Sequence, residues 1–144
     1  MKTFDTSELD KFFLKQMLLE EGERTLMDYG LYNNGLKYGE EDGKEWYQTM
    51  CAETLRKKEF CDFLVNNIES TNTFEVSDEQ VKFLKEFVES QIQISKSRLE
   101  DYATGILLKV VSEEDKLEKV ADEFSDYEHN LIKLCEQIAD LIDE

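Results

Sequence analysis

The C-terminal stretch of the sequence, residues 112–144, carries an unbroken heptad pattern. Its apolar residues alternate at spacings of three and four, which places them along one side of an α-helix. This seam consists of Leu117, Val120, Phe124, Tyr127, Leu131, Leu134, Ile138 and Leu141. A helix with such a seam buries it against another helix, from the same chain or from a second copy. The pattern therefore favours packed helices and marks the C-terminal helices as the surface through which a homodimer would form.

The rest of the sequence favours helices as well. The chain of 144 residues contains no proline, whereas about 5% is usual, so no proline interrupts long helices. Apolar periodicity predicts helices over 5–28, 44–68, 77–111 and 113–144. We therefore expect an all-α fold, in which residues 1–144 form a single four-helix bundle-like domain. Its last two helices are expected to form a long antiparallel, coiled-coil-like hairpin.

Local signals mark where these helices begin. Asp5 is placed to cap the first helix, and Ser77 with Gln80 makes a capping box before the third. Ser112 is the cap expected at a tight reversal between the third and fourth helices. The alternative to this reversal is one continuous helix of about 100 Å.

Residues 29–43 interrupt the helical pattern with four glycines among aromatic side chains. The dipeptide Asn34-Gly35 is a turn signal, so we expect a loop here. The aromatic residues in and beside this loop are Tyr29, Tyr32, Tyr38, Trp46 and Tyr47. Aromatic rings next to glycine are typical of adaptable contact surfaces, which makes these residues a candidate partner-binding site. The alternative is that they only cover the end of the bundle.

Negative charge is the second strong feature of the sequence. The chain has 34 acidic and 17 basic residues, a net charge of −17, which opposes binding to nucleic-acid phosphates and anionic membranes. Acidic residues are dense on the polar side of the C-terminal helix. Those expected to contact a partner are Glu113, Glu114, Glu118, Asp122, Glu123, Asp126, Glu136 and Asp140. The expected partner is a protein with a basic surface, although solubility alone also explains such charge.

The sequence contains no recognisable catalytic or metal-binding arrangement. Its one histidine, His129, faces away from the seam, and the three cysteines (Cys51, Cys61 and Cys135) have no CxxC spacing. Phosphate-loop, dinucleotide-binding and calcium-loop motifs are missing as well. The sequence therefore predicts a protein that is not an enzyme and uses no cofactor or metal ion.

These features lead to two functional hypotheses. The first is a small inhibitor that masks a basic, nucleic-acid-handling protein such as a nuclease or toxin. In composition, though not in any motif, the chain resembles phage anti-defence proteins, such as anti-CRISPR inhibitors, and toxin-immunity proteins. The alternative is a coiled-coil adaptor whose heptads drive oligomerisation and whose charge only keeps it soluble. A cytoplasmic location is expected, because residues 1–8 lack the apolar run of a secretory signal and no membrane-spanning run follows.

Overall fold

The computed structural model describes residues 1–104 and 114–143, and for 102–104 and 114–122 it describes the backbone alone. Most of these residues are helical, which confirms the all-α class in its coarse form. In chain order the elements are β1 (Lys2–Asp5), α1 (Lys11–Tyr38), a 3-10 turn (Glu41–Gly43), α2 (Lys44–Ser70), β2 (Thr73–Val76), α3 (Asp78–Thr104) and α4 (Glu114–Asp143). The chain forms two compact units, Met1–Val76 and Ser77–Glu144.

The first unit is built on two antiparallel helices, α1 and α2. Lys15 near the start of α1 pairs with Glu69 near the end of α2, whereas Gly35 near the end of α1 lies against Tyr47 near the start of α2. The buried apolar residues of the two helices are Leu14, Met17, Leu18, Cys51, Cys61, Leu64, Val65 and Ile68. Most are three or four positions apart, so the core forms a stripe along the inner side of each helix.

A small antiparallel sheet that the sequence did not predict packs on α2. In the pairing of β1 with β2, Phe4 lies opposite Phe74 and Asp5 opposite Thr73. The rings of Phe4 and Phe74 meet edge to face with centroids 5.6 Å apart. Phe74 contacts Phe63 of α2 in the same geometry at 6.1 Å. These aromatic contacts fix the sheet to the end of α2.

The start of the first helix differs from the prediction. Asp5 ends β1, and α1 begins only after Asp10, whose carboxylate accepts a hydrogen bond from the Phe13 N–H at 3.1 Å. Asp5 instead accepts hydrogen bonds from the Ser7 N–H at 2.9 Å and the Ser7 hydroxyl at 2.7 Å. These bonds stabilise the charged carboxylate and lower the pKa of Asp5. The prediction was wrong because capping signals are local, whereas the pairing of β1 with β2 is not.

The loop predicted over 29–43 is also wrong for most of its length. Helix α1 continues through Tyr38, so only residues 39–43 connect α1 to α2. The turn signal at Asn34-Gly35 is overridden because the Tyr47 ring of α2 lies directly against Gly35, where a side chain would overlap the ring. Glycine at this position therefore serves close packing of two helices rather than a turn.

In the second unit, α3 packs on α4. The capping box predicted at the start of α3 is confirmed. The Gln80 N–H donates to Ser77 Oγ at 3.2 Å, and the Ser77 N–H donates to Gln80 Oε1 at 2.8 Å. Both partners belong to one turn of chain, which is why the sequence alone predicted this contact.

The core of the second unit combines residues of both of its helices. It consists of Phe83, Leu84, Phe87, Val88, Leu131, Leu134, Cys135, Ile138 and Ile142. Lys85 of α3 pairs with Asp143 of α4 at 3.5 Å, and Arg98 of α3 pairs with Glu128 of α4 at 3.2 Å. Later positions of α3 thus meet earlier positions of α4. The reversal predicted at Ser112 lies outside the described residues.

The heptad seam of α4 is buried in its C-terminal half. Leu131, Leu134 and Ile138 are buried, whereas Phe124 and Tyr127 are 49% and 39% exposed. Leu141 is half-buried. The seam residues whose side chains lie outside the described part are Leu117 and Val120.

Among the helices that the structure describes, none has both the length and the apolar character needed to cross a membrane.

Candidate interaction surfaces

The turn end of the α1–α2 pair, residues 26–50, forms the first candidate surface, here called the aromatic end. Not one of its residues is buried, although it is rich in large apolar and aromatic side chains. Tyr38 is 84% exposed and Trp46 is 55% exposed. Exposed apolar residues that are gathered in one place mark interaction sites more often than isolated ones do.

The rings of the aromatic end are held in defined positions. Tyr32 meets Trp46 edge to face at 5.6 Å, and Trp46 meets Tyr47 at 5.0 Å. The Tyr47 ring lies over Gly35, Gly39 and Gly43. A Cβ at Gly39 or Gly43 would come within 3.3 Å of Tyr47 Cε2, and one at Gly35 would overlap the ring. Three of the four glycines noted in the sequence thus form a notch that orients an aromatic cluster.

The sequence predicts that five aromatic residues form one partner-binding site here. Tyr32, Trp46 and Tyr47 are brought into contact, whereas Tyr38 is largely exposed and Tyr29 is half-buried. The charged side chains around them are mostly acidic. Glu40, Glu41, Asp42 and Glu45 are exposed beside Lys37 and Lys44.

The outward side of α4 is the second candidate surface. Of the acidic residues expected to contact a partner, Glu123, Asp126, Glu136 and Asp140 are exposed. Asp126, Glu136 and Asp140 lie on the side of α4 away from its buried residues, because each position advances by 100° around the helix. His129 and Lys133 are exposed on that same side. Glu113, and the side chains of Glu114, Glu118 and Asp122, lie outside the described part.

One acidic residue of α4 lies in a place that the sequence did not indicate. The Glu128 side chain is 2% exposed, and its Oε1 accepts a hydrogen bond from Arg98 Nη1 at 3.2 Å. Its Oε2 is buried and has no hydrogen-bond partner among the described residues. On α3, one turn before Arg98, Ser95 is buried and its Oγ accepts a hydrogen bond from Gln91 Nε2 at 3.1 Å. Glu128 lies seven positions before the buried Cys135, so the two residues share one side of α4.

The cysteines occupy structural rather than reactive positions. All three are buried and unpaired with one another. Burial raises the pKa of Cys61 to about 12, and the nearby Glu21 carboxylate adds to the effect. Burial likewise raises the pKa of Cys135 to about 12, with a contribution from Glu136. A thiol that stays protonated is a poor nucleophile, so neither residue is suited to covalent catalysis.

We expect Cys61 and Cys135 to react slowly with an aromatic disulfide reagent in the folded chain at about pH 8. Only the thiolate form of cysteine reacts with such a reagent, and both thiols stay protonated at this pH. In denaturant, where the pKa returns towards the ordinary value of 9.0, both should react at once. The raised pKa also predicts that the stability contributed by the neutral thiols is complete below pH 9.0 and is lost as the pH rises toward 12. Mass spectrometry that finds either residue labelled rapidly in the native protein would contradict this expectation.

No group of three or more metal-ligating side chains is assembled among the residues that the structure describes. No family model, curated protein or solved structure matches this chain. Function is therefore inferred from the two surfaces, of which the aromatic end is described in full and the outward side of α4 in part.

Proposed function

We propose that this protein is a non-catalytic binding protein that docks on a basic surface of another protein and masks it. The aromatic end carries the proposal. It combines exposed tryptophan, tyrosine, methionine and leucine side chains with a surplus of carboxylates. Tryptophan and tyrosine are the residues most often found at the energetic centre of protein interfaces, and the carboxylates around them suit a partner that is rich in lysine and arginine.

The packing of the rings at the aromatic end supports this role. Because the Tyr47 ring lies in the notch of Gly35, Gly39 and Gly43, the Trp46 ring that packs on it is held in place before a partner arrives. A side chain that is already ordered loses less conformational entropy on binding. Trp46 is therefore the anchor that we propose, with the Tyr32 and Tyr47 rings packed against it.

The acidic side of α4 supports the same partner chemistry. We propose that α3 and α4 form the antiparallel hairpin expected from the heptads, on the basis of the pairs Lys85–Asp143 and Arg98–Glu128. Such a hairpin presents Asp126, Glu136 and Asp140 to solvent, and its field speeds the approach of a basic protein. A partner of this charge is typical of proteins that handle nucleic acid, so we propose inhibition or masking of a nuclease or toxin.

The proposal is tested by capture and then by titration. Tagged protein is incubated with a bacterial lysate at about 0.05 M and at about 0.5 M salt, and retained proteins are identified by mass spectrometry. The higher salt concentration strongly screens interactions between charges. The candidate partner is then purified and its Kd is measured directly. We expect a basic protein whose binding weakens with salt, and whose inhibition can be assayed with its own substrate.

Replacing Trp46 with alanine is expected to weaken this complex about 30-fold, as expected for a central aromatic anchor. Leu55→Ala is the matched control, because Leu55 is a similarly exposed residue of α2 that lies outside the aromatic end. Reversal of Asp126 and Asp140 to lysine is expected to slow association and to reduce its salt dependence. If Trp46→Ala and Leu55→Ala bind the partner with equal affinity, the aromatic end is not part of the interface.

A further inference from the structure

Helix α1 has a second apolar side that its packing on α2 leaves open. Phe12, Leu19 and Leu26 follow one another at intervals of seven residues, close to two helical turns, so they share one side of the helix. They are 68%, 37% and 46% exposed, whereas Leu14 and Leu18 on the inner side are buried. A helix with apolar residues on two sides is suited to contact with two neighbours.

We propose that a second copy of this chain covers the outer side of α1, through antiparallel pairing of the two α1 helices about Leu19. Phe12 and Leu26 are equally distant in sequence from Leu19. A two-fold axis at Leu19 therefore brings Phe12 of one copy against Leu26 of the other, twice, with the two Leu19 side chains between them. This self-complementarity is what a symmetric dimer interface requires, and a surface for an unrelated partner has no need of it.

The charges of α1 favour the antiparallel orientation. Lys11 and Lys15 are the only charged residues from 11 to 18, whereas residues 20–28 contain four acidic residues and one arginine. Lys15 and Glu23 are each four positions from Leu19, so antiparallel pairing brings them level with one another. Lys15 also pairs with Glu69 of its own chain, and the remaining attraction sets orientation more than affinity. Parallel pairing would place like charges together.

Site-specific cross-linking tests this dimer without any other protein. The Leu19→Cys variant is oxidised mildly at about pH 8 and about 100 µM protein, a concentration that populates weak dimers, and is run on a non-reducing gel. The native cysteines are buried and stay out of the reaction. Leu55→Cys is the matched control, with an exposed fraction of 42% for the leucine that it replaces. We expect a covalent dimer for Leu19→Cys and mainly monomer for Leu55→Cys.

Orientation is tested with two further variants. If the helices are antiparallel, Phe12→Cys and Leu26→Cys cross-link to each other in an equimolar mixture more than either does alone. Parallel pairing gives the reverse result and overturns the proposed geometry.

Sedimentation equilibrium supplies a second measurement. Leu19→Glu is expected to raise the dimer Kd at least about tenfold, because it places a charged residue in an apolar contact. Leu55→Glu is expected to leave the Kd unchanged. Circular dichroism confirms that both variants keep their helices. A wild-type chain that stays monomeric at these concentrations overturns the proposal. A dimer that survives Leu19→Glu and is lost on Phe124→Glu also overturns it, in favour of the α4 seam. Both results are independent of the proposed binding function.

Discussion

Replacing Arg98 with alanine is expected to lower the free energy of unfolding by about 2–3 kcal/mol, because a buried carboxylate then loses its cationic partner. The Glu128 side chain is 2% exposed and its Oε2 already lacks a hydrogen bond among the described residues. Arg98 is itself half exposed, so solvent reduces the loss below that of a fully buried pair. Urea unfolding followed by circular dichroism measures the change.

Two further variants separate the charge effect from the loss of arginine packing. Arg24→Ala removes a partly exposed pair with Glu21 one turn away and is expected to cost less than about 0.5 kcal/mol. Changing Arg98 and Glu128 together to methionine removes both charges from the contact, and should restore most of the stability. A double variant as unstable as Arg98→Ala would mean that the loss comes from the packing of the arginine stem.

Gly35→Ala and Gly30→Ala are expected to change stability in opposite directions, although both positions lie within α1. A methyl group at Gly35 would overlap the Tyr47 ring, so the ring or the helix that carries it must shift, at a cost of about 1–3 kcal/mol. Gly30 has no neighbouring atom within 4 Å of a Cβ. There alanine only restricts the unfolded chain and favours the helix, by about 0.5–1 kcal/mol.

Denaturant unfolding of both variants tests the glycine notch directly, and a double-mutant cycle tests its cause. If the Tyr47 ring is the obstacle, Gly35→Ala should cost much less in a Tyr47→Ala background, with a coupling energy of about 1 kcal/mol or more. Additive losses would mean that Gly35 contributes through backbone conformation instead. We also expect Gly35→Ala to displace the Trp46 ring, which near-ultraviolet circular dichroism detects.

Features that depend on neighbouring residues in the sequence were predictable. The capping box of Ser77 and Gln80 needs only one turn of chain, and it is present with both hydrogen bonds. The C-terminal seam is likewise a repeated local spacing: its members Leu131, Leu134 and Ile138 are buried, whereas Phe124 and Tyr127 are largely exposed. The coarse all-α class follows from the same periodicity, because an amphipathic helix has to bury its apolar side.

Features that depend on residues distant in sequence were missed or misplaced. Asp5 does not cap a helix, because residues 2–5 pair as a strand with residues 73–76. Asn34-Gly35 does not form a turn, because helix α1 continues through it and packs against Tyr47. In both cases a local preference of about 1 kcal/mol competes with tertiary contacts that are worth more, and the contacts decide.

The candidate surfaces divide in the same way. The net charge of −17, the positions of the glycines and the aromatic content of residues 29–47 can be read from the sequence alone. The packing of the helices places Tyr47 in the glycine notch with Trp46 exposed beside it. It also buries Glu128 while Asp126 and Asp140 face solvent. Composition sets which side chains are available, but exposure depends on which side of each helix its neighbours cover.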